Sequence, residues 1–213
     1  MIMLQFITHA TSRYTHLQEV AMALKGGCRW IQLRMKDATD EEVVTVGREA
    51  VSLCHASGAM LILDDRVELC QRIGADGVHL GRHDMPLDKA RQLLGKEAII
   101  GATVNTDEDL LRAAKAHADY IGCGPFRFTT TKSHLAPVLG LDGYRHIIQT
   151  RRETGITTPI VAIGGITRAD IPALMATGVD GIALSGCVVR ADDPTEEMKR
   201  ICQTVCQTIF QRP

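Results

Sequence analysis

The chain has 213 residues, with 24 Lys and Arg against 25 Asp and Glu, so its formal net charge is −1. A balance this even argues against a nucleic-acid or membrane-surface partner, although cations can still gather in one pocket. No apolar stretch reaches roughly 18 residues, so no membrane span is expected, and the length suits one α/β barrel domain over 1–213.

Residues 1–8 read as a first strand and not as a secretion signal, because no basic region precedes a long apolar run. Residues 17–25 follow with helical spacing and stop at Gly26-Gly27. A second strand over 30–33 comes next. Thr39 ahead of Asp40-Glu41-Glu42 then predicts a capped helix to about 57. Third and fourth strands, at 60–63 and 77–80, enclose a short helix over 67–73 that ends at Gly74. Pro86 opens a helix over 87–94, and a fifth strand occupies 98–102. Thr106 caps a helix over 107–117, and a sixth strand runs 120–123. The loop 124–140 is long enough for a compact domain to suggest a working role. Helices over 142–153 and 167–177 flank a seventh strand at 159–163. An eighth strand spans 181–184, and Pro194 starts the last helix, to about 210.

Eight strands in strict alternation with eight helices predict a parallel sheet closed into a single (β/α)8 TIM barrel. A doubly wound open sheet is the runner-up, but no Gly-x-Gly-x-x-Gly fingerprint follows the first strand. Active sites of such barrels lie at the C-terminal ends of the strands, so the residues there carry the functional argument.

After the second strand, period-two alternation puts Gln32, Arg34 and Lys36 on one face, the barrel interior near its mouth. Two cations and an amide aimed into one cavity make a phosphate clamp; a solvated Arg and Lys in a loop is the other reading. Asp64 and Asp65 follow the third strand and Asp84 the fourth. One or two carboxylates with waters and phosphate oxygens make an open Mg2+ site, so Asp65 and Asp84 are candidate ligands. Pairing of Asp65 with Arg66 or Arg82 is the structural alternative. His79, His83 and Asp84 invite a zinc reading but lack a third protein ligand, and His79, on its strand, reads as a core or supporting residue.

Thr103 follows the fifth strand. In the long loop Thr129, Thr130, Thr131 and Lys132 supply donors for phosphate oxygens. Gly164-Gly165 after the seventh strand and Ser185-Gly186 after the eighth have the form of a backbone-amide phosphate site beside helix N-termini; tight turns are the alternative. Two anion sites imply two phosphorylated substrates, one carrying a diphosphate. No Ser-His-Asp pattern and no lone Lys in an apolar strand is present.

At these residues the sequence resembles the thiamin-phosphate synthase family over nearly the whole chain. The resemblance rests on Gln-Leu-Arg-Met-Lys at 32–36, Asp-Asp-Arg-Val at 64–67 and Gly-Ala-Asp-Gly-Val-His-Leu-Gly at 74–81. Asp84, Gly-Pro-Phe at 124–126, Thr-Thr-Thr-Lys at 129–132 and Ala-Ile-Gly-Gly-Ile at 162–166 complete it, and their order and spacing together are specific. It implies a Mg2+-dependent transferase that joins an aminopyrimidine methyl diphosphate to a thiazole phosphate, releasing diphosphate. Asp65 and Asp84 match the metal ligands. Gln32, Arg34, Lys36, Thr103 and Lys132 match the pyrimidine diphosphate site, and Leu33, Met35 and Asp64 beside them are counted with the candidate substrate-binding residues. Thr129, Thr131, Gly165, Ser185 and Gly186 match the thiazole-phosphate site, and Thr130 is counted with the candidate substrate-binding residues. Arg34, Lys36 and Lys132 are the expected catalytic cations.

Four residues depart from the family pattern: Asp64 stands where Asn is usual, Met35 where Glu is, Phe128 where Pro is common, and Arg127 is unusual at its position. Asp64 matters most, because an extra carboxylate beside a diphosphate needs a proton, a cation or a metal. Arg127 is a candidate for that cation. The competing functions are a thiazole-phosphate tautomerase on a similar barrel and a non-catalytic phosphate-binding regulator. The former uses a His near the sixth strand, where this chain has Cys123. Seven scattered Cys, several in apolar patterns, suit reduced thiols and a cytoplasmic location. The expected partners are small molecules, and self-association is compatible with the sequence.

Overall fold

The strands of this protein are mostly apolar runs of three to six residues, all parallel, and all but the seventh are followed directly by Gly or a polar residue. The computed structural model describes residues 3–9, 11–129 and 136–210. Strands β1 (Met3–Ile7), β2 (Trp30–Leu33), β3 (Met60–Asp64), β4 (Gly77–Leu80), β5 (Ile99–Val104), β6 (Tyr120–Cys123), β7 (Ile160–Ala162) and β8 (Gly181–Leu184) pair in sequence order. β8 returns to β1 with Met3 opposite Gly181 and Phe6 opposite Leu184, which closes the barrel. This is the single (β/α)8 architecture expected from the alternation.

The connecting helices are α1 (His16–Lys25), α2 (Asp40–Ala56), α3 (Val67–Ile73), α4 (Leu87–Leu94), α5 (Asp107–Lys115), α6 (Gly140–Glu153), α7 (Ile171–Ala176), α8 (Gly186–Val189) and α9 (Pro194–Phe210). Their starts are chemically marked. Thr15 with Gln18 and Thr39 with Glu42 form capping boxes, and Thr106 accepts from the Asp109 amide. Two details differ from the sequence expectation. The helix expected over 167–177 is split, because the Thr167–Asp170 capping box first winds a 3-10 turn over Arg168–Asp170. The four-residue α8 follows β8 directly, so the described residues hold nine α-helices and not eight. Among the described residues no helix is long and apolar enough to cross a membrane.

Strand alternation sorts side chains into two layers. Phe6, Ile31, Leu33, Leu63, Leu80, Ile121 and Leu184 face the helices and belong to the large outer core. Ile7, Trp30, Ile62, Tyr120, Val161 and Ala183 fill the barrel interior. Two interior glycines are required by close approach. A Cβ on Gly101 would lie 2.2 Å from Tyr120 Cζ, and one on Gly122 would lie 2.8 Å from His79 Cε1. They leave room for the two rings that carry the polar interior.

The N-terminal floor of the barrel uses one device three times. Asp76, Asp119 and Asp180, each one residue before β4, β6 or β8, accept the amides of Leu61, Ile100 and Ile160 at 2.7 Å. Each donates its own amide back to the carbonyl of the same residue, at 2.7–2.9 Å. His55, Arg91 and Arg151 contact the three carboxylates.

Candidate active site

A column of polar side chains rises through the interior to the C-terminal mouth. Gln5 Nε2 donates to the Tyr120 hydroxyl at 3.2 Å, Tyr120 meets His79 Nδ1 at 3.0 Å, and His79 Nε2 meets Thr103 Oγ1 at 3.0 Å. Gln5 supplies a donor, so the buried Tyr120 O–H donates to Nδ1 of His79. With a neutral imidazole, this network assigns the ring proton to Nε2, facing Thr103, and leaves the Thr103 hydroxyl hydrogen for a neighbour above it. Burial raises the Tyr120 phenol well above its usual range, which keeps it a neutral donor.

The rim of β2, β3 and β4 carries the charges. Gln32 Nε2 donates to Asp64 Oδ1 at 2.6 Å, and Arg34 Nε and Lys36 Nζ lie 3.5 and 3.6 Å from Asp64 Oδ2. Lys36 is also paired with Asp65. Burial raises the Asp64 carboxyl against the pull of Lys36, Arg34 and Gln32. Asp65 is pushed up to about 7 by burial, by the charge of Asp64 and by its hydrogen bond with Asp84. Burial also pushes Asp84 up, but its bonds with Asp65 and with the Gly81 amide (2.6 Å) outweigh that and hold it low. The two neighbouring carboxyls thus shift in opposite directions, Asp65 upward and Asp84 downward. Asp65 adopts φ +63°, a left-handed conformation costly for a residue with a Cβ, and such strain tends to occur at working positions. Arg66 holds the loop after β2 from below, donating to Asp40 and to the carbonyls of Met35, Lys36 and Ala38.

Across the mouth, β7 and β8 end in Gly164-Gly165 and Ser185-Gly186. Gly164 and Gly165 take φ +97° and +70°. Ser185 Oγ is buried without a hydrogen-bond partner among the described residues. The Arg190 guanidinium lies over Gly186, where a Cβ would meet Nη1 at 2.4 Å. The β2–β4 rim is thus rich in acid and base. The opposite rim offers backbone, a hydroxyl and a cation.

The model of the thiamine monophosphate synthase family matches residues 4–188. This chain belongs to that family. It is 58% identical over 201 residues to the thiamine-phosphate synthase of Bacteroides thetaiotaomicron, covering 94% of this chain and 96% of that protein. The thiamine-phosphate synthase of Flavobacterium johnsoniae is 45% identical over 190 residues, covering 89% of this chain and 90% of that protein. Among solved structures, thiamine phosphate pyrophosphorylase from Pyrococcus furiosus superposes with a TM-score of 0.86 at 34% identity, covering 98% and 97% of the two chains.

Of the positions that match the family motifs, Gln32, Arg34, Lys36, Asp64, Asp65 and Asp84 converge on one rim. Thr103 lies within β5, inside the sheet and not beyond its end, and reaches the rim through His79. Leu33 and Met35 turn toward the helices, Leu33 fully buried and Met35 packed on the outer core, so their side chains are not part of this rim. Thr130, Thr131 and Lys132 lie outside the described residues. Arg127 is not the cation that compensates Asp64: it pairs with Asp170, and Arg34 and Lys36 take that role. Arg66 and Arg82 pair with Asp40 and Asp109, so neither satisfies Asp65. Among the described residues no three His, Cys, Asp or Glu side chains gather as a metal cluster, and the zinc alternative gains no third ligand.

Sequence reasoning missed Gln5 and Tyr120, because each looks like an ordinary strand residue until the barrel closes. It also missed Glu19, fully buried on α1, whose Oε2 accepts from the His9 amide at 2.7 Å. The one local sign was an acid on the same helix face as Ala23, four residues on.

Proposed function

We propose that the β2–β4 rim holds a pyrimidine diphosphate and the β7–β8 rim a thiazole phosphate, so that the two substrates meet over the polar column. As a member of its family, the chain is a transferase of thiamine biosynthesis that couples a pyrimidine to a thiazole. The observation that carries the site assignment is the meeting of two acids, Asp65 and Asp84, with two cations, Arg34 and Lys36, at one edge of the mouth.

The donor set fits Mg2+. Two adjacent, hydrogen-bonded carboxyls at one edge of the mouth are a donor set that a divalent cation suits, and an open Mg2+ site takes one or two carboxylates plus phosphate oxygens. When bound to Asp65 and Asp84, the ion supplies positive charge to the departing diphosphate oxygens. Lys36, now drawn to Asp64 and Asp65, and Arg34 act on the same oxygens as the carbon–oxygen bond lengthens. Lys132 is assigned to that group by its place in the family motif.

Gln32 presents its carbonyl oxygen, buried without a partner among the described residues, to accept from the amino group of the pyrimidine. The Thr103 hydroxyl, its acceptor side taken by His79, donates upward. The amino group feeds electron density into the ring and supports a cationic methylene, which the thiazole nitrogen then attacks. No protein nucleophile is needed. Ser185 Oγ, the backbone around Gly165 and Gly186, and Thr129 with Thr130 and Thr131 are assigned to the thiazole phosphate. A dry mouth protects the cation from water. All seven Cys are free thiols, which supports a cytoplasmic enzyme.

Purified protein with both substrates and Mg2+ should yield thiamin phosphate and diphosphate. Binding of the thiazole phosphate without any product would overturn the assignment and favour a regulator.

A further inference from the structure

The start of the loop after β6 is pinned to the turn after β7 by two residues with no part in bond making. The Phe126 and Arg127 amides donate to the carbonyls of Ile163 and Gly164 at 2.9 and 3.1 Å. The Arg127 side chain then reaches back. Nη1 donates to the Gly165 carbonyl at 3.1 Å, and Nη1 and Nη2 grip Asp170 Oδ2 and Oδ1 at 2.7 Å each. The guanidinium also stacks over Phe126, 4.7 Å from the ring centroid. Asp170 in turn accepts from the Thr167 amide and hydroxyl at 2.8 and 2.7 Å, so the fork is fixed at both ends.

The carbonyl and the amide hydrogen of a trans peptide point in opposite directions. The carbonyls of Gly164 and Gly165 are both turned onto Arg127, so the amides of Gly165 and Ile166 are both turned away from it. Neither amide donates to a described residue. A Cβ at Gly165 would come within 2.4 Å of Arg127 Cγ, so the arginine lies flush on the glycine.

We propose that Arg127 and Asp170 are positioning residues that aim these two amides at the phosphate of the thiazole substrate. The inference rests on the reading that this phosphate binds at Gly165, Ser185 and Gly186. Arg127 acts through the backbone and does not touch the substrate, so its effect must follow the phosphate and not the ring.

The test compares thiazole phosphate with the thiazole alcohol, by calorimetry and steady-state kinetics, in Arg127→Ala, Asp170→Asn and Arg127→Lys. Arg127→Ala should raise KM and Kd for the thiazole phosphate about tenfold, the scale of one hydrogen bond to a charged group. Affinity for the alcohol and KM for the pyrimidine diphosphate should hold within about twofold, as expected for a local change. Arg127→Lys, with a point charge in place of a fork, should restore part of the loss. Asp170→Asn keeps the shape and carries the test if Arg127→Ala does not fold. Equal weakening of phosphate and alcohol, or a lower Tm with no change in either, overturns the proposal. Ser185→Ala separates the two readings: if it also leaves the phosphate preference untouched, the phosphate site itself is wrong. If it lowers that preference while Arg127→Ala does not, only the staple is wrong.

Discussion

Gln32 donates its side-chain nitrogen to Asp64 Oδ1 at 2.6 Å, and this one bond leaves the other end of the amide, Oε1, buried without a partner among the described residues. Asn at position 64 could still accept that bond, while the negative charge beside Arg34 and Lys36 would be gone. Asp64→Asn should therefore keep kcat and lower KM for the pyrimidine diphosphate, by at least about fivefold, the effect of one charge about 4 Å away under water-like screening. Asp64→Ala removes the acceptor and should lower kcat/KM. Initial rates against the diphosphate substrate check both, and a higher KM in Asp64→Asn would count against the charge argument.

Asp65, the carboxylate proposed to hold the metal, has a left-handed backbone. Glycine adopts that conformation freely and alanine does not. Asp65→Gly should be about 1 kcal/mol more stable than Asp65→Ala, and both should lose activity. Urea unfolding of the two variants gives the comparison. Equal stability would mean that the backbone at this position carries no strain.

Tyr120 hands a hydrogen bond from Gln5 to His79 deep in the barrel. Tyr120→Phe leaves two buried polar groups without their partner, at a cost of about 1–3 kcal/mol for an unmet bond. It also frees His79 to move its proton to Nδ1, so that Nε2 no longer donates to Thr103. The urea midpoint should fall, and kcat/KM with the pyrimidine substrate should fall with it. Unchanged kinetics in a destabilised variant would restrict Tyr120 to packing.

Burial raises the Glu19 carboxyl to about 7 against the hydrogen bond from the His9 amide. The folded state therefore holds a proton that the unfolded chain gives up near 4.5. This contribution to stability is complete below about pH 4.5 and is lost as pH rises through about 7. In Glu19→Gln the side chain stays neutral, and Tm should decline less than wild type between pH 5 and pH 8, the window of roughly one proton's release. Parallel Tm–pH curves for the two proteins would show that Glu19 does not titrate in that window.

The alternation of elements was legible because each strand is an apolar run closed by glycine or charge, and helices such as α2 carry their cap and first-turn acids in plain sequence. The rim residues were legible because Gln32, Arg34 and Lys36 alternate and the aspartates follow their strands directly. Pairings across sequence were not. Arg127 and Asp170 are 43 residues apart with no shared pattern, so the arginine was expected to serve Asp64. Thr103 was expected past its strand because β5 runs on to Val104, two residues beyond its last obvious apolar pair. Glu19 went unremarked because an acid in the first turn of a helix is ordinary, and it is buried only because of the face that α1 turns inward.

The three aspartates under β4, β6 and β8 divide labour within the barrel. They tie strands together two at a time at the end of the barrel remote from the charged mouth. The barrel thus holds two separate sets of carboxylates, one satisfied by backbone amides at the floor and one gathered with cations at the mouth. A substitution among the rim residues Arg34, Lys36, Asp64, Asp65 and Asp84 therefore leaves the hoop bonds of Asp76, Asp119 and Asp180 intact.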